Sequence, residues 1–187
     1  TEYKPLLAST YLTFSTPVYT EDSRLNGVLR VQYDAQVLHT LLAEFNNYAD
    51  HTYAILLNKT STAVYGQILP EISYITLAHG SDPDLVYKVI TQAGTTVITT
   101  LQTSRQLPPG TTPQLSLDLP ELDIGLRHVA RAPVFIALSQ PADDLSQRNV
   151  IAASPLQTQP WIVLISQDLS VFNAPISQQR RAITLVS

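Results

Sequence analysis

The sequence predicts an α+β fold built on a mostly antiparallel sheet with helices near the ends of the chain. Three observations point there. Short β-rich runs recur along the chain, and most are joined by connections short enough for antiparallel neighbours. Clear helical spacing is confined to a segment near the start and a segment at the end. No regular strand–helix alternation of the kind that builds a doubly wound sheet is present. The bulk numbers agree. The chain has 187 residues and is 44% hydrophobic, enough for one domain, or one and part of another, with a core that needs no staples. Only 14% of the residues are charged, against about 25% in ordinary domains, which argues against a coiled coil or a disordered tail.

The elements follow in order. Residues 11–15 are β-rich and alternate, and Thr16-Pro17-Val18-Tyr19 continues them, with Pro17 marking an edge or a bulge. Residues 20–26 are polar, and Asn26-Gly27 is expected to close a turn into the alternating run 27–33. Asp34 is a good N-cap. Val37, Leu38, Leu41, Leu42 and Phe45 then recur at helical spacing, which predicts a helix over 35–46 packed through Val37, Leu38, Leu41 and Phe45. Asn46-Asn47 should end it.

Residues 53–57 read as a buried strand and 72–77 as an alternating one. Residues 78–83 form a turn cluster, and 84–90 suit a short helix capped by Asp82. Residues 94–101 are rich in threonine and β-branched side chains, which predicts a strand. Pro108, Pro109 and Pro113 make 108–113 a loop, and Pro120 cuts short the alternation of 115–119. Strands are expected at 134–138, 149–154 and 161–166, the last two paired across 155–160. Asp168 or Ser170 should cap a C-terminal helix, with Pro175 at its first turn or awkwardly inside it.

Composition excludes several function classes. A net charge of −4 is unlike a nucleic-acid binder, which carries a basic face. Cysteine is absent, which removes disulfide scaffolds, thiolate metal sites and cysteine nucleophiles together. No run approaches the ~20 apolar residues that span a bilayer. The lack of methionine, even at position 1, is expected of an excised or processed segment. The apolar run 182–187 fits either a helix end or the approach to a membrane span.

No catalytic constellation is legible. His39, His51, His79 and His128 form no close ligand pair with one another. His39 and His51 flank the first helix and are expected at the surface. His79 stands at a strand-to-turn junction, where it can meet a ligand carboxylate or hold the turn through Ser81 or Asp82. The carboxylate pairs Glu21-Asp22, Asp82/Asp84, Glu121/Asp123 and Asp143-Asp144 lie in polar stretches and read as solvated loops rather than acid–base pairs. Nucleophile elbows and phosphate loops are absent. Arg127-His128-x-x-Arg131 is a cationic cluster that suits either an anionic ligand or a solvated charge run. Tyr53, Tyr74, Tyr87, Phe135 and Trp161 supply aromatic surface for a pocket or for a core. Asn58-Lys59-Thr60 is a glycosylation sequon, meaningful only in a secretory host.

Several short motifs resemble the double Cache family, the extracytoplasmic sensor domains of bacterial receptors. These motifs are Thr16-Pro17-Val18-Tyr19, Gly27-Val28-Leu29-Arg30-Val31-Gln32, the Leu-rich helix after Asp34, and Tyr74-Ile75-Thr76-Leu77-Ala78-His79 with Gly80-Ser81-Asp82-Pro83. Trp161 to Ser166 and the closing helix from Leu169 complete the set. The resemblance implies a PAS-like antiparallel sheet flanked by helices. Residues 1–50 would be the tail of a distal module or an N-terminal extension, and 51–187 a PAS-like sensor module ending in a C-terminal helix. Gln32 stands where the family's amino-acid-binding signature has an aspartate.

The function implied is ligand sensing for a transmembrane receptor of histidine kinase, chemoreceptor or cyclase type, outside the cytoplasm and without catalysis or cofactor in this segment. A stand-alone extracellular binding or adhesion module is the alternative. The candidate ligand contacts are Tyr53, Tyr74, His79, Arg127, Phe135 and Trp161, with the pocket expected on the concave face of the sheet. The partner would be a small molecule or a periplasmic binding protein. Homodimerisation stays open, nucleic acid is excluded, and the membrane is met only through flanking helices. Arg180-Arg181 would lie at the lipid headgroups if a span follows.

Overall fold

The computed structural model describes residues 11–47, 51–64, 67–139 and 148–175. Asp143-Asp144, Arg180-Arg181 and the apolar run 182–187 lie outside the described residues.

Two sheets form. Strands β1 (Tyr11–Tyr19) and β2 (Leu25–Asp34) pair antiparallel as a separate hairpin. Strands β3 (Thr52–Val64), β4 (Gln67–His79), β5 (Val134–Ala137), β6 (Asn149–Pro155) and β7 (Trp161–Asp168) build an antiparallel sheet of five, ordered β4-β3-β7-β6-β5. All five strands expected for that sheet are present in it. Tyr53, Ile55 and Leu57 of β3 face one side, and Ala54 and Leu56 face the other. Both sides are buried, so the segment reads as a continuous apolar run rather than an alternating one.

The first side, here the front, is covered by α4 (Pro120–Arg127) through Leu122 and Leu126, together with Leu85, Ile90, Leu117 and Leu119. The back carries α1 (Ala35–Ala43) and the 3-10 turn Glu44–Asn47, which seat Leu38, Leu42 and Phe45 on Ala54, Leu56 and Leu77. Helix α2 (Thr95–Thr103) packs Ile98 and Leu101 on Ile75, Val89 and Leu107. Helix α3 (Thr112–Leu115) is a single turn fixed by a capping box between Thr111 and Gln114. Residues 87–90 cover the edge of β4: Tyr87 N–H donates to the Thr76 carbonyl (2.7 Å) and Ile90 N–H to that of Tyr74 (3.0 Å). Leu117 N–H then donates to the Val89 carbonyl (2.7 Å), so the sheet edge is not left bare.

Five local expectations are corrected. The hairpin turns at Thr20–Arg24, with Ser23 at φ 60°, while Gly27 lies within β2 opposite Val18. Residues 95–103 are helix, not strand, because Ile98 and Leu101 reach one apolar cluster only at helical spacing, and burial overrides β-propensity. The helix expected over 84–90 is one 3-10 turn, Pro83–Leu85, with Asp82 capping it as expected by accepting from Asp84 N–H (2.8 Å). Val37 and Leu41 are each 52% exposed; α1 and the turn after it pack through Leu38 and Phe45 as expected, with Leu42 in place of the other two. Glu121 and Asp123 lie not in a loop but in the first turn of α4, where acidic groups complement the helix dipole, and Asp123 is buried.

Candidate functional site

The front face brings Tyr53 and His79 together, their ring centroids 5.1 Å apart. Tyr53 comes from the start of β3 and His79 from the end of β4, and the antiparallel pairing of these strands sets His79 opposite Ile55. The Tyr53 hydroxyl meets Ser139 Oγ (2.5 Å), which in turn meets Ser166 Oγ (2.8 Å). Asn149 Nδ2 donates to both the Ser139 and Tyr53 oxygens. All four side chains are buried, and their polar groups are satisfied by one another. Burial pushes the Tyr53 phenol up, and its bonds to Ser139, Ser166 and Asn149 partly oppose this.

His79 Nδ1 accepts from the backbone N–H of Asp82 (3.0 Å) and of Ser81 (3.3 Å). That fixes the proton of the neutral ring on Nε2, which is buried and without a hydrogen-bond partner among the described residues. Burial lowers the imidazole pKa from 6.5 to about 4; the Asp82 carboxylate opposes the shift and His39 adds to it. The ring borders a cavity of about 10 Å³ shared with Thr76, Ser139 and Leu122. That is room for one water at most.

The remaining candidates lie elsewhere. Tyr74 is in the front core near Asp123 and Arg127, and burial followed by the Asp123 charge raises its pKa. Arg127 Nε donates to Asp123 Oδ2 (2.7 Å), and its guanidinium also reaches the Ile72 carbonyl (3.2 Å), so the cation ties α4 to β4. Phe135 packs beneath α4 at Gly125, where a Cβ would come within 2.3 Å of its ring. Trp161 is on the back face, packed against the Leu42–Leu56 cluster. Ser139, Asn149 and Ser166 are the polar residues that sequence reasoning missed. The available signal was Ser166 continuing the buried alternation of Ile162 and Leu164.

Trp161 lines a different feature, an open groove of about 1010 Å³ on the back. Its walls include Asn58 and Leu77 of the sheet, Tyr87, Arg105 and the Pro108-Pro109 turn. Among the described residues no group of three or more histidines and carboxylates can hold a metal. Among the described residues, too, no helix is long and apolar enough to cross a membrane.

No protein-family model and no curated protein sequence matches the chain. Solved structures do. The sensor domain of the histidine kinase DctB of V. cholerae superposes with a TM-score of 0.53 at 12% identity, over 84% of this chain and 50% of that one. The extracellular domain of mmHK1S-Z3, described as a candidate histidine kinase, superposes with a TM-score of 0.52 at 11% identity, over 90% of this chain and 48% of that one. The chain therefore spans about half the length of these neighbours. At such identities the likeness is one of fold alone: a PAS-like antiparallel sheet of five strands flanked by helices.

Proposed function

We propose that the chain is the extracytoplasmic sensory segment of a transmembrane receptor of the double Cache kind, and that binding outside is turned into displacement of the segment after β7. The observation that carries this reading is the exit of β7. It is the central strand, and it runs without a loop into the helical residues 169–175. Asp168 fixes the junction by accepting from Ser170 N–H (2.7 Å) and Ser170 Oγ–H (2.6 Å), bonds that also lower its carboxyl pKa. Leu169 N–H donates to the Arg148 carbonyl at the head of β6 (3.0 Å). Movement of the sheet is thus passed to the exit segment through short, specific bonds.

The fold shared with two histidine kinase sensory domains supports this reading. The output is of kinase, chemoreceptor or cyclase type, and the segment itself performs no catalysis. Residues 1–50, hairpin and connecting helix, are the tail of a distal module or an N-terminal extension, and 51–187 the sensor module on whose sheet α1 is seated. This division accounts for the hairpin, which exposes Val18, Leu25, Val28, Leu29 and Val31, although an isolated pair of strands is marginal in water. The input is a small molecule or a periplasmic binding protein. The same exposed hairpin favours a second reading, a stand-alone adhesion module. The full gene separates the two: a membrane-spanning helix and a cytoplasmic output domain after Ser187 support the receptor, and a stop codon there supports the adhesion module.

A further inference from the structure

The back-face groove is walled by Trp161, Tyr87, Arg105, Asn58 and Pro108-Pro109. Two of these side chains come from backbone that bulky residues rarely adopt, since Tyr87 and Arg105 each sit at φ 58°. Such a conformation persists where the surroundings impose it, and it concentrates at binding sites. The surroundings here are specific. Tyr87 N–H is bonded to Thr76, and Arg105 N–H donates to the Gln102 carbonyl (3.0 Å). Gln102 Nε2 in turn donates to the carbonyls of Pro108 and Gly110, both at 3.0 Å. On the opposite wall Lys59 N–H donates to the Pro160 carbonyl (2.6 Å), beside Trp161. The walls are therefore held in place by backbone bonds and by the Gln102 side chain before anything binds, which lowers the ordering cost of association.

The charge pattern names the ligand. Arg105 is the one charged side chain among the described lining residues, and none of them is acidic. A guanidinium reads a carboxylate bidentately, and Trp161 with the prolines offers a flat apolar surface. The volume matches small-molecule sites, which run to about 1,000 Å³. We propose that this groove is a binding site for a small organic carboxylate with an aromatic or apolar body, the carboxylate on Arg105 and the body against Trp161. Occupancy of the groove does not depend on a membrane anchor, so a titration of the groove and the gene sequence test separate claims.

Trp161 is the only tryptophan, so its emission reports on the groove directly. The test titrates the protein with phenylacetate and with phenylacetamide, its neutral isostere. The proposal expects saturable quenching by phenylacetate, and binding of the amide about tenfold weaker or more. Arg105→Gln should bring the two ligands to within about twofold of each other, and Arg105→Lys should keep part of the preference. The thermal melt of each variant confirms its fold. Absence of saturation by either ligand up to about 10 mM overturns the proposal. So does equal affinity for the two ligands in the parent, or an anion preference that survives Arg105→Gln.

Discussion

His79 shows how one residue can be read at two levels. Its place before Gly80-Ser81-Asp82 left a ligand contact and a turn anchor both open, and its Nδ1 does hold the turn through Ser81 and Asp82. Its depth in the core has a consequence for pH. The unfolded chain takes up a proton on this ring near pH 6.5, whereas the folded ring resists protonation until about pH 4. Between those values the unfolded state binds more protons, so stability falls as pH falls through that window. The loss should approach ~3 kcal/mol, at about 1.4 kcal/mol per pH unit. Urea melts from pH 7 to pH 4 should show this slope in the parent, and His79→Asn, which keeps an acceptor that does not titrate, should flatten it. An equal slope in both proteins would place the acid sensitivity elsewhere. Ser139, Asn149 and Ser166 were not legible in the sequence because they come from separate segments. A polar residue in a strand looks solvent-facing until the register sets it opposite another.

At the scale of elements, legibility followed the strength of the local signal. The β6–β7 hairpin and β3 were readable because their apolar runs are long and their flanks carry turn residues. Helix α2 was misread because Thr95, Thr96, Val97, Ile98, Thr99 and Thr100 favour a strand locally, while only Ile98 and Leu101 enter the core. Helix α4 carried readable signals in Pro120 at its first turn, acids at 121 and 123, and Arg127 at its end. On α1 the stripe is right in period, and Leu38 and Phe45 pack as expected, while Leu42 takes the place expected of Val37 and Leu41. Gly80 helps explain the docking of α1, since a Cβ there would approach the Leu42 carbonyl oxygen to 2.9 Å. The helix end and the strand thus touch backbone to backbone. Leu42→Ala should cost about 2 kcal/mol or more, while Leu41→Ala should stay within about 0.5 kcal/mol. Paired chemical melts measure both, and a reversed order would mean that α1 docks through its other face.

At the scale of the whole molecule, the antiparallel sheet was legible and its strand order was not, because order depends on which edges find partners. Placing β7 at the centre, between β3 and β6, makes the exit segment an extension of the best-supported strand. The split of the candidate residues was equally hidden. Tyr53, Tyr74, His79 and Phe135 share the front, and Trp161 belongs to the groove behind it. The central claim is that this sheet works outside the cytoplasm on a membrane-anchored protein. The chain contains no cysteine, so a single Gln157→Cys at the exposed β6–β7 connection gives a clean topological probe. The most direct measurement labels intact cells expressing the full-length protein with a membrane-impermeant maleimide, with the parent as control. The account predicts labelling at residue 157 without lysis, on a protein recovered in the membrane fraction. Labelling only after lysis, or recovery in the soluble fraction, would contradict it.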